Sequence, residues 1–183
     1  MNWGLPESLE VQGVPRPIRT DYRCILDILT DLSDPETDGP GRALALLIGL
    51  YPGFDDMPPE CWEEAVNAGL RFINCDSEDV PHKAPRLVDW EQDYGLMIAP
   101  INRVIGQEVR ALEYLHWWSF LAAYNEIGDC TFAQVIRIRD HLARGKKLDR
   151  SDLEWCRKNR HLVDFKHKYT NADRELLKEW GGA

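Results

Sequence analysis

Nowhere in this chain do about 18 apolar residues run uninterrupted, so no membrane-spanning helix is expected. The N-terminus lacks a basic stretch followed by an apolar run, so no signal peptide is expected and the cytoplasm is the expected compartment. Cysteine is sparse and scattered: Cys24, Cys61, Cys75, Cys130 and Cys156 form no C-x-x-C pair, and an odd count cannot pair off completely. Free, largely buried thiols in a reducing compartment follow. No phosphate-cradling glycine loop, dinucleotide-binding glycine pattern, nucleophile elbow or H-E-x-x-H helix occurs. There is no repeat of fixed period and no low-complexity tract.

Positive charge is also scarce, and it is unevenly placed. The formal net charge is −9 over 183 residues. Residues 1–136 carry 9 Lys/Arg against 23 Asp/Glu, whereas residues 137–168 carry 11 against 5. The acidic whole repels a phosphate backbone, so non-specific nucleic-acid binding is not expected. An acidic body with a basic segment favours association between opposite charges, in copies of the chain or in a partner. The alternative is local pairing of the basic residues with Asp140, Asp149, Asp152 and Glu154 on a solvated helical pair.

What is present is apolar material in helical spacing. Hydrophobic residues make up 44%, enough for a core in a single domain over residues 1–183. The fold class expected is mainly α: a compact multi-helix domain of about seven to eight helices with a small N-terminal β-hairpin. Residues 1–20 form the hairpin appendage, residues 21–75 a first helical half and residues 86–183 a second. In the hairpin, Ser8 to Gln12 alternates, Gly13 turns, and Val14 to Ile18 returns as an edge strand, since Pro15 and Pro17 cannot donate to a ladder.

Thr20-Asp21 opens the first helix, with Ile25, Leu26, Ile28, Leu29 and Leu32 as its stripe. After a loop over Ser33 to Gly41, a second helix runs from Arg42 to Tyr51. A third, over Glu60 to Asn74, has Pro58-Pro59 at its start. Asp76 to Pro85 is expected to be a loop between the halves. Leu87 to Ile105 is helical in pattern, with a break or kink expected at Pro100. Helices over Glu113 to Ile127 and Thr131 to Arg144 follow, the latter opened by a Thr131-x-x-Gln134 capping box and closed by Gly145. Another helix starts near Asp149, and a short one is expected over Asn171 to Trp180.

Few residues offer chemistry. Asp89-Trp90-Glu91-Gln92-Asp93 concentrates carboxylates, but residues two apart on a helix point about 200° away from each other. Asp89 as a helix cap, with Glu91 offsetting the dipole, explains them more simply. Cys61, Cys75 and His82 match no compact zinc spacing and lack a fourth ligand. His116 and Cys130 could pair as imidazole and thiol, yet neither has an orienting neighbour. No catalytic residue, metal or cofactor is therefore expected. The helices Thr131 to Arg144 and Asp149 to Arg160 resemble a helix-turn-helix, which keeps a DNA-binding regulator as a minor alternative.

The densest aromatic stretch is Leu112 to Ile127. On one helical wheel, Glu113, His116, Ser119 and Glu126 share a strip. Tyr114, Leu115, Trp117, Trp118, Leu121, Ala122 and Tyr124 fill roughly half the circumference or more, and Asn125 falls among them needing a partner. Such a helix is covered on several sides, by its own domain or by another chain.

Together, Asp89-Trp-Glu-Gln-Asp93, Leu115-His-Trp-Trp-Ser-Phe120, Glu126-Ile-Gly-Asp-Cys-Thr-Phe132, Gly145-Lys-Lys-Leu148 and Arg157-Lys-Asn-Arg160 resemble a family of small tail-morphogenesis proteins of long-tailed phages and prophages, often named as a phage's fifteenth gene product. The resemblance is strongest between Asp89 and Asp164. It implies a phage tail assembly chaperone that binds the tape-measure protein, and itself as a homo-oligomer, without catalysis, in the bacterial host cytoplasm and absent from the mature virion. A structural virion protein of the tail or head–tail joint is the alternative. The candidate contact residues are Trp90, Tyr114, Trp117, Trp118, Leu121 and Tyr124, with the basic Arg144, Lys146, Lys147, Arg157, Lys158 and Arg160.

Overall fold

The chain begins with a two-residue turn in which Gln12 and Gly13 both take positive φ, 50° and 72°, the geometry that matches the twist of a tight hairpin. It joins strand β1 (Ser8–Val11) to the antiparallel strand β2 (Val14–Pro17), with Val11 opposite Val14 and Leu9 opposite Arg16. A two-stranded ribbon is marginal alone. This one is held by helix α3 (Trp62–Ile73) and the turn before it. Gln12 donates its amide N–H to Glu64 Oε1 at 3.0 Å and its side-chain NH₂ to the Glu60 carbonyl at 3.1 Å, and Val11 is fully buried.

The computed structural model describes residues 4–76 and 85–166. Among them the fold is mainly α, with eight helices. Besides α3 these are α1 (Tyr22–Leu32), α2 (Gly39–Leu50), α4 (Trp90–Ile105), α5 (Trp117–Asn125), α6 (Thr131–Ala143), α7 (Arg150–Lys158) and the single turn α8 (Arg160–Val163). Local cap chemistry sets most starts. Asp21, Asp38, Asp89 and Asp149 each accept a backbone N–H at the head of their helix.

The first three helices pack tightly because glycine lets them approach. A Cβ on Gly49 would lie 2.6 Å from Ile28 Cγ1, and one on Gly69 would lie 2.8 Å from both Leu46 Cδ2 and Leu50 Cδ2. Around this contact gathers one core that also takes Tyr22, Ile25, Phe72, Met97, Ile101, Trp117, Phe120 and Phe132. The second half adds α4 and α5 to that core and closes with α6 and α8.

Several expectations change. α2 starts at Gly39, three residues before Arg42, with Pro40 in its first turn and Asp38 accepting from the Gly41 N–H. Pro58-Pro59 leads a 3₁₀ turn over Pro59–Cys61 before α3 proper. α4 continues through Pro100 without a break to Gly106. The capping box at Thr131 is not formed, because Cys130 is the cap and its Sγ accepts from Ala133 N–H at 3.4 Å. Gly145 follows α6 at φ 64° as anticipated.

The largest correction concerns Glu113 to Ile127: helix exists only over Trp117–Asn125. Residues 112–116 are non-helical, and an isolated antiparallel bridge pairs His116 with Asp21 just ahead of α1. Tyr22 N–H donates to the Leu115 carbonyl at 2.9 Å, and Trp117 N–H to the Thr20 carbonyl at 2.7 Å. Two such bonds outweigh the weak helical preference of this aromatic stretch. Asn125 is exposed and not among buried aromatics. The expected helix over Asn171 to Trp180 and most of the loop over Asp76 to Pro85 lie outside the described residues.

Candidate functional site: an apolar groove beside a filled interior

The acidic cluster builds a structural joint. Asp89 Oδ1 accepts from the backbone N–H groups of Glu91 and Gln92 at 3.1 and 2.9 Å, while its Oδ2 pairs with Arg86 at 2.6 Å. Asp93 Oδ2 accepts from Asp89 N–H at 2.9 Å and from Arg139 at 2.6 Å, and Oδ1 accepts from Arg139 at 3.0 Å. Arg139, 4% exposed, spends its other donors on the carbonyls of Leu87, Leu162 and Val163 at 2.8 to 2.9 Å. All five guanidinium N–H groups are thus used. The Phe165 ring covers the guanidinium at 4.1 Å. A carboxylate tied at both oxygens to a fixed cation and a helix N-terminus is not free to move protons.

His116 is equally committed. Its Nδ1 accepts the Trp118 N–H at 3.0 Å, capping α5, which leaves Nε2–H to donate to the Pro6 carbonyl at 3.1 Å. Cys130 caps α6, so the imidazole and thiol each serve a different helix. Cys75 carries a thiol that burial, with Asp76 beside it, pushes up to about 11, far from a nucleophile's range. Of the three zinc candidates, His82 lies outside the described residues. No group of three or more His, Cys, Asp or Glu able to hold a metal occurs among the described residues.

The aromatic segment fills the interior. Trp117 is 1% exposed, stacked on Phe120 with centroids 5.8 Å apart and edge-on to Trp90 at 6.1 Å. This corrects its place among contact candidates: Trp117 is core. Its indole N–H donates to the Ile73 carbonyl and that of Trp118 to the Phe72 carbonyl, both at 2.8 Å, so both rings tie to the end of α3, where Phe72 also accepts the Cys75 N–H. Trp90, Trp118, Leu121 and Tyr124 are half-buried against the same core. Burial, with Asp93 nearby, raises the Tyr124 hydroxyl to about 12. Only Tyr114 stands out, 54% exposed, with its hydroxyl 2.7 Å from Thr20 Oγ1.

The basic candidates are exposed but partly spoken for. Arg144 pairs with Asp140, Lys158 with Glu154 and Arg160 with Asp164 at 2.6 to 3.0 Å, and Arg137 with Asp152 at 2.5 Å. Lys146, Lys147, Arg150 and Arg157 are exposed and make no ion pair with another described residue.

One surface was missed from sequence. Between α2 and α3 lies an open groove of about 620 Å³, lined by Pro40, Ala43, Leu44, Leu47, Trp62 and Val66, with Glu63 and Asn67 on one lip. Leu44 is 40% and Trp62 37% exposed. Ile48 and Leu70, one turn beyond Leu44 and Val66, prolong the apolar strip at 52% and 39% exposure. Beyond the lip is a polar depression lined by Glu60, Glu63, Glu64, Asn67 and Arg71, so the groove is apolar in its bed and acidic along one edge. A signal existed: α2, GPGRALALLIGL, has one charged residue in 12, and a helix apolar all round demands covering on every side. Among the described elements, α1 and α3 make the main contacts with α2 and leave its Leu44–Ile48 side exposed.

No protein-family model matches the chain, and neither does any curated protein or solved structure.

Proposed function

We propose that this chain is a phage tail assembly chaperone that holds an apolar helical client, the tape-measure protein, in the groove between α2 and α3 and catalyses no reaction. The observation that carries the reading is the uncovered apolar bed of Leu44, Trp62 and Val66, continued by Ile48 and Leu70. Exposed apolar strips of this kind mark contact surfaces. A groove between two helices suits an amphipathic helix laid along it, anchored at positions one turn apart. The polar groups that could have done chemistry, Asp89, Asp93 and His116, are engaged in capping and pairing. The family resemblance of Asp89-Trp-Glu-Gln-Asp93 and the His116-Trp-Trp stretch names the client class.

A tape-measure protein is a long helix with apolar faces that aggregates unless covered, and many weak groove contacts along it sum to tight binding. Co-expression tests this. The client stays soluble with this chain present and precipitates with Leu44→Glu, a surface change that leaves the fold intact. A client equally insoluble with and without the wild-type chain removes the proposal. Mass spectrometry of purified particles separates chaperone from structural component, since a chaperone is absent from finished virions.

A further inference from the structure

We propose that the groove between α2 and α3, while no client helix fills it, receives helix α7 of a second copy of this chain, so that copies join head to tail and a client displaces them. The inference rests on reading the groove as a protein-docking surface but not on the identity of the client. Charge complementarity selects the occupant. The groove's edge carries Glu60, Glu63 and Glu64, offset within that depression only by Arg71, in a region of the chain that is strongly acidic. A fitting helix presents an apolar knob flanked by cations.

α7 does so. Asp152 turns inward to Arg137, which fixes the opposite face outward. On that face Arg150, Leu153 and Arg157 lie within about 60° of arc, at spacings of three and four. Leu153 is 41% exposed, whereas the other apolar residues of α7, Trp155 and Cys156, are half-buried. Arg150 and Arg157, separated by about 10 Å along the axis, make no ion pair with another described residue. Leu153 seated on Leu44, Trp62 and Val66 brings these guanidinium groups to the acidic edge.

Groove and helix are different surfaces of one molecule, so the contact is heterologous. A docked pair keeps a free groove on one copy and a free α7 on the other, so growth continues past two into a ring or an open chain. Attraction between exposed charges weakens with salt.

Sedimentation velocity of the full chain tests this. The wild-type mass is expected to rise with concentration beyond two copies and to fall when salt reaches about 1 M, where the screening length is about 3 Å. Leu44→Glu and Leu153→Asp, both at exposed positions, are each expected to weaken association about tenfold or more. Mixed one to one, the two variants form pairs and nothing larger, because each retains one intact half. Glu63→Lys weakens association without touching the apolar bed.

A wild type monomeric at every concentration overturns the inference. So does a wild type that stops at two copies while the variant mixture stays monomeric, which indicates a self-complementary contact. A monomeric wild type that still keeps the client soluble overturns self-docking alone and leaves the proposed function standing. Loss of client solubility with Leu44→Glu but not with Leu153→Asp, alongside loss of self-association in both, supports the two together.

Discussion

Arg139 is the residue on which the second half turns. It lies 46 positions along the chain from Asp93, yet the two are 2.6 Å apart with neither side chain more than 3% exposed. Removing one partner of a buried pair strands the other charge. Asp93→Asn is therefore expected to cost about 3–5 kcal/mol in urea unfolding, far more than an exposed pair such as Lys158–Glu154 contributes. Trp117→Ala is expected to cost about 3–5 kcal/mol as a core truncation, measured in the same way. Glu108 behaves differently, being fully at the surface. The side-chain hydrogen bond from Arg110, then the Arg110 backbone N–H, holds its carboxyl down to about 2. Because the folded value lies below the ordinary one, this contact is complete above the ordinary carboxylate range and is lost only as pH falls toward 2. Carboxyl NMR checks this, and an unshifted Glu108 midpoint refutes it. At this scale Asp89 was legible as a cap because capping is local. Arg139 was counted into a basic surface segment because nothing nearby in sequence shows a partner so distant.

Helix starts written in cap residues were legible for the same reason: Asp21 and Asp149 stand where α1 and α7 begin. Misreadings came where tertiary contacts competed with pattern. The stretch from Glu113 satisfies a helical wheel, but Leu115 and Trp117 bond to the backbone of Tyr22 and Thr20, so the cap falls at His116 and only the Trp117–Asn125 part of that helix forms. Of the break or kink expected at Pro100, the break does not occur: α4 runs on, with Pro100 buried. The α2–α3 contact gives a paired test. Gly69→Ala meets Leu46 and Leu50 at 2.8 Å and is expected to cost about 1–3 kcal/mol by overpacking. Gly95→Ala, at an exposed position of α4 with nothing within 4 Å of the added carbon, is expected to gain up to about 1 kcal/mol. Thermal melts of both decide it, and equal effects deny that the close crossing matters.

The charge asymmetry of the whole molecule resolves into two populations. Arg137, Arg144, Lys158 and Arg160 find acidic neighbours on their own or adjacent helices, as a solvated helical pair does. Arg150 and Arg157 are left facing outward. Composition revealed the imbalance, but only the orientation of α7 shows which cations are spare. The mainly helical class and the hairpin were readable from periodicity and turn residues. The groove was not, since it arises from two helices 12 residues apart in sequence meeting at a glycine.

The carbonyls of Leu162 and Val163 complete the ring of acceptors around Arg139, and that has a bearing on synthesis. Those acceptors belong to the main chain, so nearly any amino acid there can supply them, provided translation has got that far. A polypeptide ending at Arg160 leaves this buried cation without two of its five acceptors. A chain terminated at Arg160 should accordingly show faster amide exchange at the head of α4 and in the last turns of α6 than the full-length protein. Maturation of the second half is gated by its late residues.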